Sequence, residues 1–154
     1  MAKFSFEGQV RRATEADYPI WAEMLAALHP GQSVHAFLNE IRALVALPEP
    51  YVAFLAFDER DQPCGMVDAR LRNYAEGAPR LHAAYVEDLW VVPEARGRGV
   101  ARALLAVVEQ WAREQGMDWL GSDTAPDNHA SWAWHRAAGF AEIEQLVVFG
   151  KPLD

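Results

Sequence analysis

Apolar positions fall at helical spacing in two early stretches. Trp21, Met24, Leu25 and Leu28 recur at i, i+3, i+4 and i+7, which puts them on one helix face. Thr14, with Asp17 three residues later, forms a capping pair that opens this helix. HPGQS (29–33) closes it. Val34, Phe37, Leu38, Ile41, Leu44 and Val45 make a second stripe, stopped by Pro48 and Pro50. The pattern then changes. YVAFLAF (51–57) is a continuous apolar run of strand length, DERDQP a turn, and CGMVDARL (64–71) the returning strand. A polar loop, RNYAEGAPR (72–80), leads into a long strand, LHAAYVEDLWVV (81–92).

A short Gly-rich turn follows, and the helical period returns in Val100, Leu104, Val107, Val108 and Trp111, with Gly116 as C-cap. MDWLGS (117–122) reads as a short strand. Asp127 and Asn128 suit the N-cap of a helix running to about Ala138, stopped by Gly139. FAEIEQLVVFGK (140–151) alternates weakly and is predicted as a final strand. No internal repeat or linker is seen. Two helices, an antiparallel strand pair, then strand–helix–strand–helix–strand predict a mixed α/β (α+β) sheet domain with about four helices. The chain of 154 residues is expected to form one domain, 1–154.

Composition narrows the partners. Hydrophobic content of 51% with 23% charged residues describes a folded protein. There is no apolar run of about 18 residues, so no membrane partner is expected. Met1–Arg12 lacks the basic start and apolar stretch of a secretory signal. The lone Cys64 excludes an internal disulfide and fits a reducing cytoplasm. A net charge of −8 disfavours nucleic acid and suits a cationic partner. The five histidines, His29, His35, His82, His129 and His135, form no i, i+4 pair and have no cysteine partner, so no metal is expected.

The Gly-rich turn carries the first chemistry. VVPEARGRGVARALL (91–105) joins a strand end to a helix start. The Gly-Lys-Ser/Thr of a nucleotide P-loop is absent, and the G-x-G-x-x-G fingerprint fails because Gly97 and Gly99 are followed by Arg102. What remains is R-x-x-G-x-A: Arg96, Gly99 and Ala101. Backbone N–H groups at a helix N-terminus point at an anion with the positive end of the dipole. Glycine permits close approach, and Arg96, Arg98 or Arg102 can add charge.

This stretch resembles motif A of the GCN5-related N-acetyltransferases, which holds the pyrophosphate of acetyl-CoA. DNHASWAWHRAAGF (127–140) resembles the family's motif B: Asn128, His135 and Gly139-Phe140 keep its spacing, with His135 in place of the usual tyrosine. The likeness covers about residues 10 to 150. SDTAPDN, RNYAEG and HRAAGF together look similar to the aminoglycoside 6′-N-acetyltransferases.

The resemblance implies a fold, a co-substrate and a set of roles. The sheet would be mostly antiparallel and twisted, splayed between its fourth and fifth strands. Acetyl-CoA would be the co-substrate, and a substrate amine would attack its thioester directly. Backbone amides of Leu89, Trp90 and Val91 would meet the thioester and pantetheine. Arg96, Gly97, Arg98, Gly99, Val100, Ala101 and Arg102 would hold the pyrophosphate, with Asn128 as a further cofactor ligand. Asp123 and Glu87 would hold the ammonium or accept its proton, and His135 would protonate the leaving thiolate. Tyr74, Glu144 and His29 would complete the substrate wall, His29 standing where the group usually has tryptophan. A homodimer is also implied. Two alternatives stay open: a family member acting on another amine, such as a polyamine or a protein N-terminus, and a non-catalytic acetyl-CoA-binding module.

Overall fold

The computed structural model describes residues 5–154. The beginning of the Met1–Arg12 stretch, residues 1–4, lies outside the described residues. The chain divides into two compact units, one ending at Ser122 and one running Asp123–Asp154.

The first unit holds β1 (Gln9–Arg12), α1 (Tyr18–Leu28), α2 (Val34–Val45), β2 (Tyr51–Phe57), β3 (Pro63–Arg72), β4 (Ala83–Val91), α3 (Val100–Glu114) and β5 (Leu120–Gly121). The strands form one sheet in sequence order. Neighbours from β1 to β4 are antiparallel, and β5 lies parallel to β4. Only Ala84↔Leu120 and Tyr85↔Gly121 join that last pair, so beyond Tyr85 the two strands part. This is the splay expected between the fourth and fifth strands. β1 had no sequence signal: Val10 is the one apolar residue in QVRR, and an exposed edge strand needs no hydrophobic period.

The start of α1 is fixed by one carboxylate. Asp17 accepts the backbone N–H of Thr14 at 2.8 Å and its hydroxyl at 3.1 Å. It also accepts both terminal nitrogens of Arg11, at 2.7 and 2.9 Å. The apolar stripes then bury as their spacing predicts. Trp21, Met24 and Leu25 of α1 and Phe37 and Ile41 of α2 pack with Ala53, Leu55 and Phe57 of β2 and Met66 of β3. The opposite face takes α3, which comes so close that a Cβ on Gly65 would stand 3.0 Å from Val100 and 3.2 Å from Leu104.

One irregularity matters for chemistry. Asp68 pairs with Asp88, but its neighbour Ala69 pairs with Val86, which leaves Glu87 as an extra residue in β4. Such a bulge turns two consecutive side chains away from strict alternation.

The second unit contains α4 (His129–Ala137), capped by Asn128, whose side-chain oxygen accepts the N–H of Ser131 at 3.1 Å. The rings of Trp134, His135 and Phe140 gather at its C-terminal end, with His135 5.0 Å from Trp134 and 5.3 Å from Phe140. The strand expected over 140–151 is not formed: residues 140–154 carry no strand pairing. Val148 is 87% exposed and Phe149 91%. Apolar alternation supplies a strand's face but not its ladder, and without a neighbour for its N–H and C=O groups the segment forms no strand.

Candidate active site

The glycine turn sits where β4 ends. A single helical turn, Pro93–Ala95, redirects the chain. Arg96 then folds back: its Nε donates to the Val91 carbonyl at 3.0 Å, and its guanidinium lies 4.6 Å from the Trp90 ring centre. Arg96 therefore braces the turn as well as charging it. Gly97 and Gly99 both have left-handed backbone, at φ 76° and 83°, a region costly for residues with a Cβ. A Cβ at Gly97 would meet nothing within 4 Å, so the turn is open on that side. Gly99 is the N-cap of α3 and has no side chain to cap it. The N–H groups of Val100, Ala101 and Arg102 are the first of the helix and lack intrahelical acceptors. Arg98 and Arg102 are exposed. An anion with several oxygens fits this cradle.

Leu89, Trp90 and Val91 lie on the stretch of β4 past the last pairing with β5. One edge of that stretch bonds to β3, and the other is not bonded to β5. Main-chain donors on such an open edge can polarise a carbonyl or pair with an extended amide chain.

A cleft of about 410 Å³ opens on the α1–α2 face of the same strand. His29, Glu40, Tyr51, Arg70, Glu87 and Asp88 line its polar side. Because of the bulge, Glu87 and Asp88 both face it. Their states differ. Arg72 grips both oxygens of Glu87, at 2.8 and 2.7 Å, and Arg70 stands 3.6 Å away. Asp88 instead meets the Nε2 of His29 at 2.6 Å. Behind it lies Asp68, fully buried, whose Oδ2 accepts the indole N–H of Trp21 at 2.9 Å and the hydroxyl of Tyr51 at 3.0 Å. Burial first, and then the Asp88 carboxylate, push the Asp68 pKa well above its ordinary 3.8. Burial first, and then its neighbour Asp68, raise that of Tyr51.

The residues singled out from sequence thus separate. His29 and Glu87 meet in the cleft. Tyr74, 60% exposed, lies in the loop before β4 and is not among the lining residues. Sequence reasoning passed over Asp68 and Asp88. An aspartate amid the apolar CGMVDARL was the available signal for the first.

Asp123, Asn128, His135 and Glu144 belong to the second unit. Asp123 is exposed and opens it. Asn128 uses its oxygen as the α4 cap, which leaves its amide hydrogens as donors. The His135 Nδ1 lies 2.7 Å from the Ser131 carbonyl, which can only accept, so Nδ1 carries a proton. In the neutral ring Nε2 is then an acceptor, and only the imidazolium could donate from it. Glu144 lies in the unpaired 140–154 segment, not on the strand expected to carry it. Among the described residues no group of three or more His, Cys, Asp or Glu could hold a metal ion, and no helix is long and apolar enough to cross a membrane.

Comparison with known proteins gives this geometry a context. The model of the acetyltransferase (GNAT) family matches residues 14–140. The aminoglycoside N(6′)-acetyltransferase type 1 of Stenotrophomonas maltophilia is 36% identical over 146 residues, covering 94% of each chain. Among solved structures, the aminoglycoside antibiotic 6′-N-acetyltransferase AAC(6′)-IG from Acinetobacter haemolyticus superposes with a TM-score of 0.85 at 31% identity, over 95% of this chain and 99% of that one. AAC(6′)-Iy in complex with the bisubstrate analog CoA-S-monomethyl-acetylneamine gives 0.87 at 28% identity, over 96% and 99%.

Proposed function

The chain belongs to the acetyltransferase (GNAT) family, and from that premise we propose that it transfers acetyl from acetyl-CoA to the 6′-amine of aminoglycosides, an activity that confers resistance to these antibiotics. The observation that carries the reading is a single strand. β4 offers an open main-chain edge past Tyr85, runs into the glycine cradle, and presents Glu87 and Asp88 to an acidic cleft. One strand thus supports an acyl donor along its edge and a cationic acceptor at its bulge.

Acetyl-CoA supplies a thioester whose carbonyl is open to attack by an amine. The protein's part is to hold, polarise and neutralise. Gly97, Gly99 and the first N–H groups of α3 suit the pyrophosphate, with Arg96, Arg98 and Arg102 adding charge. The main chain of Leu89, Trp90 and Val91 is the source of donors to the thioester oxygen, where negative charge develops. Carboxylates at the bulge hold the ammonium. In this reading residues 1–154 act as one catalytic domain. Asp123 is the proton acceptor, Asn128 a cofactor ligand, and His135 a donor to the leaving thiolate. Tyr74 and Glu144 are substrate contacts.

A homodimer accords with the apolar side chains left exposed along the last segment, Val147, Val148 and Phe149 among them. Removing residues 141–154 would then turn a dimer into a monomer in sedimentation. The lone buried Cys64 thiol fits a cytoplasmic location.

The deciding experiment is release of free thiol from acetyl-CoA with kanamycin or tobramycin, followed by locating the acetyl group on the product. Release with spermidine and with no aminoglycoside would move the function to another amine. Acetyl-CoA binding without turnover on any amine would leave a binding module.

A further inference from the structure

We propose that Asp88 is the anion that receives the substrate ammonium in the cleft, and that Asp68 is its positioning residue, keeping its proton and donating a hydrogen bond through it to Asp88. This rests on the acetyl-transfer reading above and adds to it a specific anchor and the device that orients it.

One carboxyl oxygen beside the cleft has no donor. Asp68 is buried at 0% exposure, and its Oδ1 receives no hydrogen bond. Its other oxygen is satisfied twice, by Trp21 and Tyr51. The cross-strand neighbour of Asp68 is Asp88, whose negative charge raises the Asp68 pKa. Two ionised carboxylates paired across neighbouring strands, one of them fully buried, repel, and an oxygen with no donor adds its own desolvation cost. One proton on Oδ1 removes both difficulties: Asp68 becomes a donor and Asp88 its acceptor. Oδ1 is the better place for the proton, because Oδ2 already accepts from the indole N–H of Trp21, which can only donate, and from the hydroxyl of Tyr51.

The charged groups around the pair decide which member carries the negative charge. His29, from the end of α1, touches Asp88; Tyr51 of β2 touches Asp68; Arg70 of β3 and Glu87 of β4 share the cleft wall. Asp68 has no access to solvent, whereas Asp88 faces the cleft. The single charge therefore belongs on Asp88.

Comparison with Glu87 shows what this achieves. Glu87 is oriented by Arg72, a cation that grips both oxygens and cancels the charge it orients. Asp88 is oriented from behind by a neutral acid, so its charge is kept. Its other partner, His29, is about half exposed and can yield to an incoming amine. Of the two adjacent carboxylates, Asp88 keeps the fuller charge for a second cation.

The test uses kanamycin as the probe, with steady-state kinetics and calorimetric binding in the absence of acetyl-CoA. Asp88→Asn should raise the kanamycin KM and Kd about tenfold or more, since a hydrogen-bonded charge is lost, with the acetyl-CoA KM little changed. Asp68→Asn supplies an N–H in place of the acid proton and should stay close to wild type. Asp68→Leu removes the donor and should approach Asp88→Asn. Loss of kanamycin binding in Asp68→Asn as severe as in Asp88→Asn would overturn the proposal, because Asp68 would then act as an anion. Unchanged kanamycin binding by Asp88→Asn would overturn it equally. If Asp68→Leu fails to fold, the contrast between the two asparagine variants decides alone. Wild-type turnover tests the functional reading, while the ratio of variant to wild type tests this one.

Discussion

The imidazole Nε2 of His29 stands 2.6 Å from Oδ1 of Asp88, so the residue that ends α1 is tied to the bulge of β4. The tie is half exposed and spans two elements that hydrophobic packing already joins. Its removal should matter little to folding and more to binding. His29→Ala is expected to shift stability by less than about 1 kcal/mol, as exposed pairs do. The same change should lower the KM for an aminoglycoside, because a competitor for Asp88 is gone. A thermal melt and amine saturation curves at one pH would check both, and a raised KM would instead make His29 a substrate ligand.

Arg72 serves two groups at once. Its guanidinium grips Glu87 bidentately and lies 3.5 Å from the ring centre of Tyr85. Arg72→Met keeps much of the stem but leaves a partly buried carboxylate without its main cation. The expected cost is about 1–3 kcal/mol in denaturant midpoint measurements. Arg72→Met paired with Glu87→Gln should recover part of it, since the charge needing a partner is then absent. Additive losses would mean that the pair is not coupled.

Acid stability should report Asp17. The side-chain bonds from Arg11 come first, opposed by burial, and with help from Thr14 they lower its pKa from 3.8 to about 2. A carboxyl depressed in the fold stabilises above its unfolded pKa, and that contribution is lost as pH falls through the folded value. Asp17→Asn should therefore lower stability at neutral pH by roughly 1 kcal/mol and flatten the decline between about pH 4 and 2. Chemical denaturation across that range measures it.

Asp68 should act with the opposite sign. Its pKa is raised, so the folded state binds a proton that the unfolded state has released above about pH 4. The stabilisation is complete below that point and erodes as pH rises toward the folded value. Asp68→Asn, which cannot release the proton, should be flatter than wild type on this limb. Parallel stability profiles from pH 4 to 9 would show that Asp68 is ionised in the fold.

These cases show what a sequence discloses. Repeats such as Trp21, Met24 and Leu25 give a helix because one short period decides both conformation and burial. The Thr14–Asp17 pair is legible for the same reason: both partners lie within one turn. Asp68 is not, because its donors come from 47 and 17 residues away and nothing local announces them. The bulge at Glu87 is a property of pairing with β3, so the sequence of β4 alone could not place Glu87 and Asp88 on one side. The segment 140–151 fails in the converse way. Its weak alternation predicts a strand, but a strand also requires a partner, which no pattern within it provides, and none forms.

Two glycines at opposite ends of α3 separate folding from function. Gly99 precedes the helix with φ 83°, and Gly116 follows it with φ 76°. An L residue is strained at either position, at a cost of about 1 kcal/mol. The helix dipole then sets them apart. At Gly99 a carboxylate meets the positive end and can cap uncovered N–H groups, which offsets part of the strain. At Gly116 it meets the negative end and adds to the strain. Gly116→Asp should therefore be the less stable variant. Affinity should rank the other way: Gly99→Asp puts a negative charge in the pyrophosphate cradle and should abolish measurable acetyl-CoA binding, whereas Gly116→Asp should keep it. Melting temperature and calorimetric titration with acetyl-CoA on both variants give the full comparison. Retained acetyl-CoA affinity in Gly99→Asp would show that the turn at the N-terminus of α3 does not hold the phosphates.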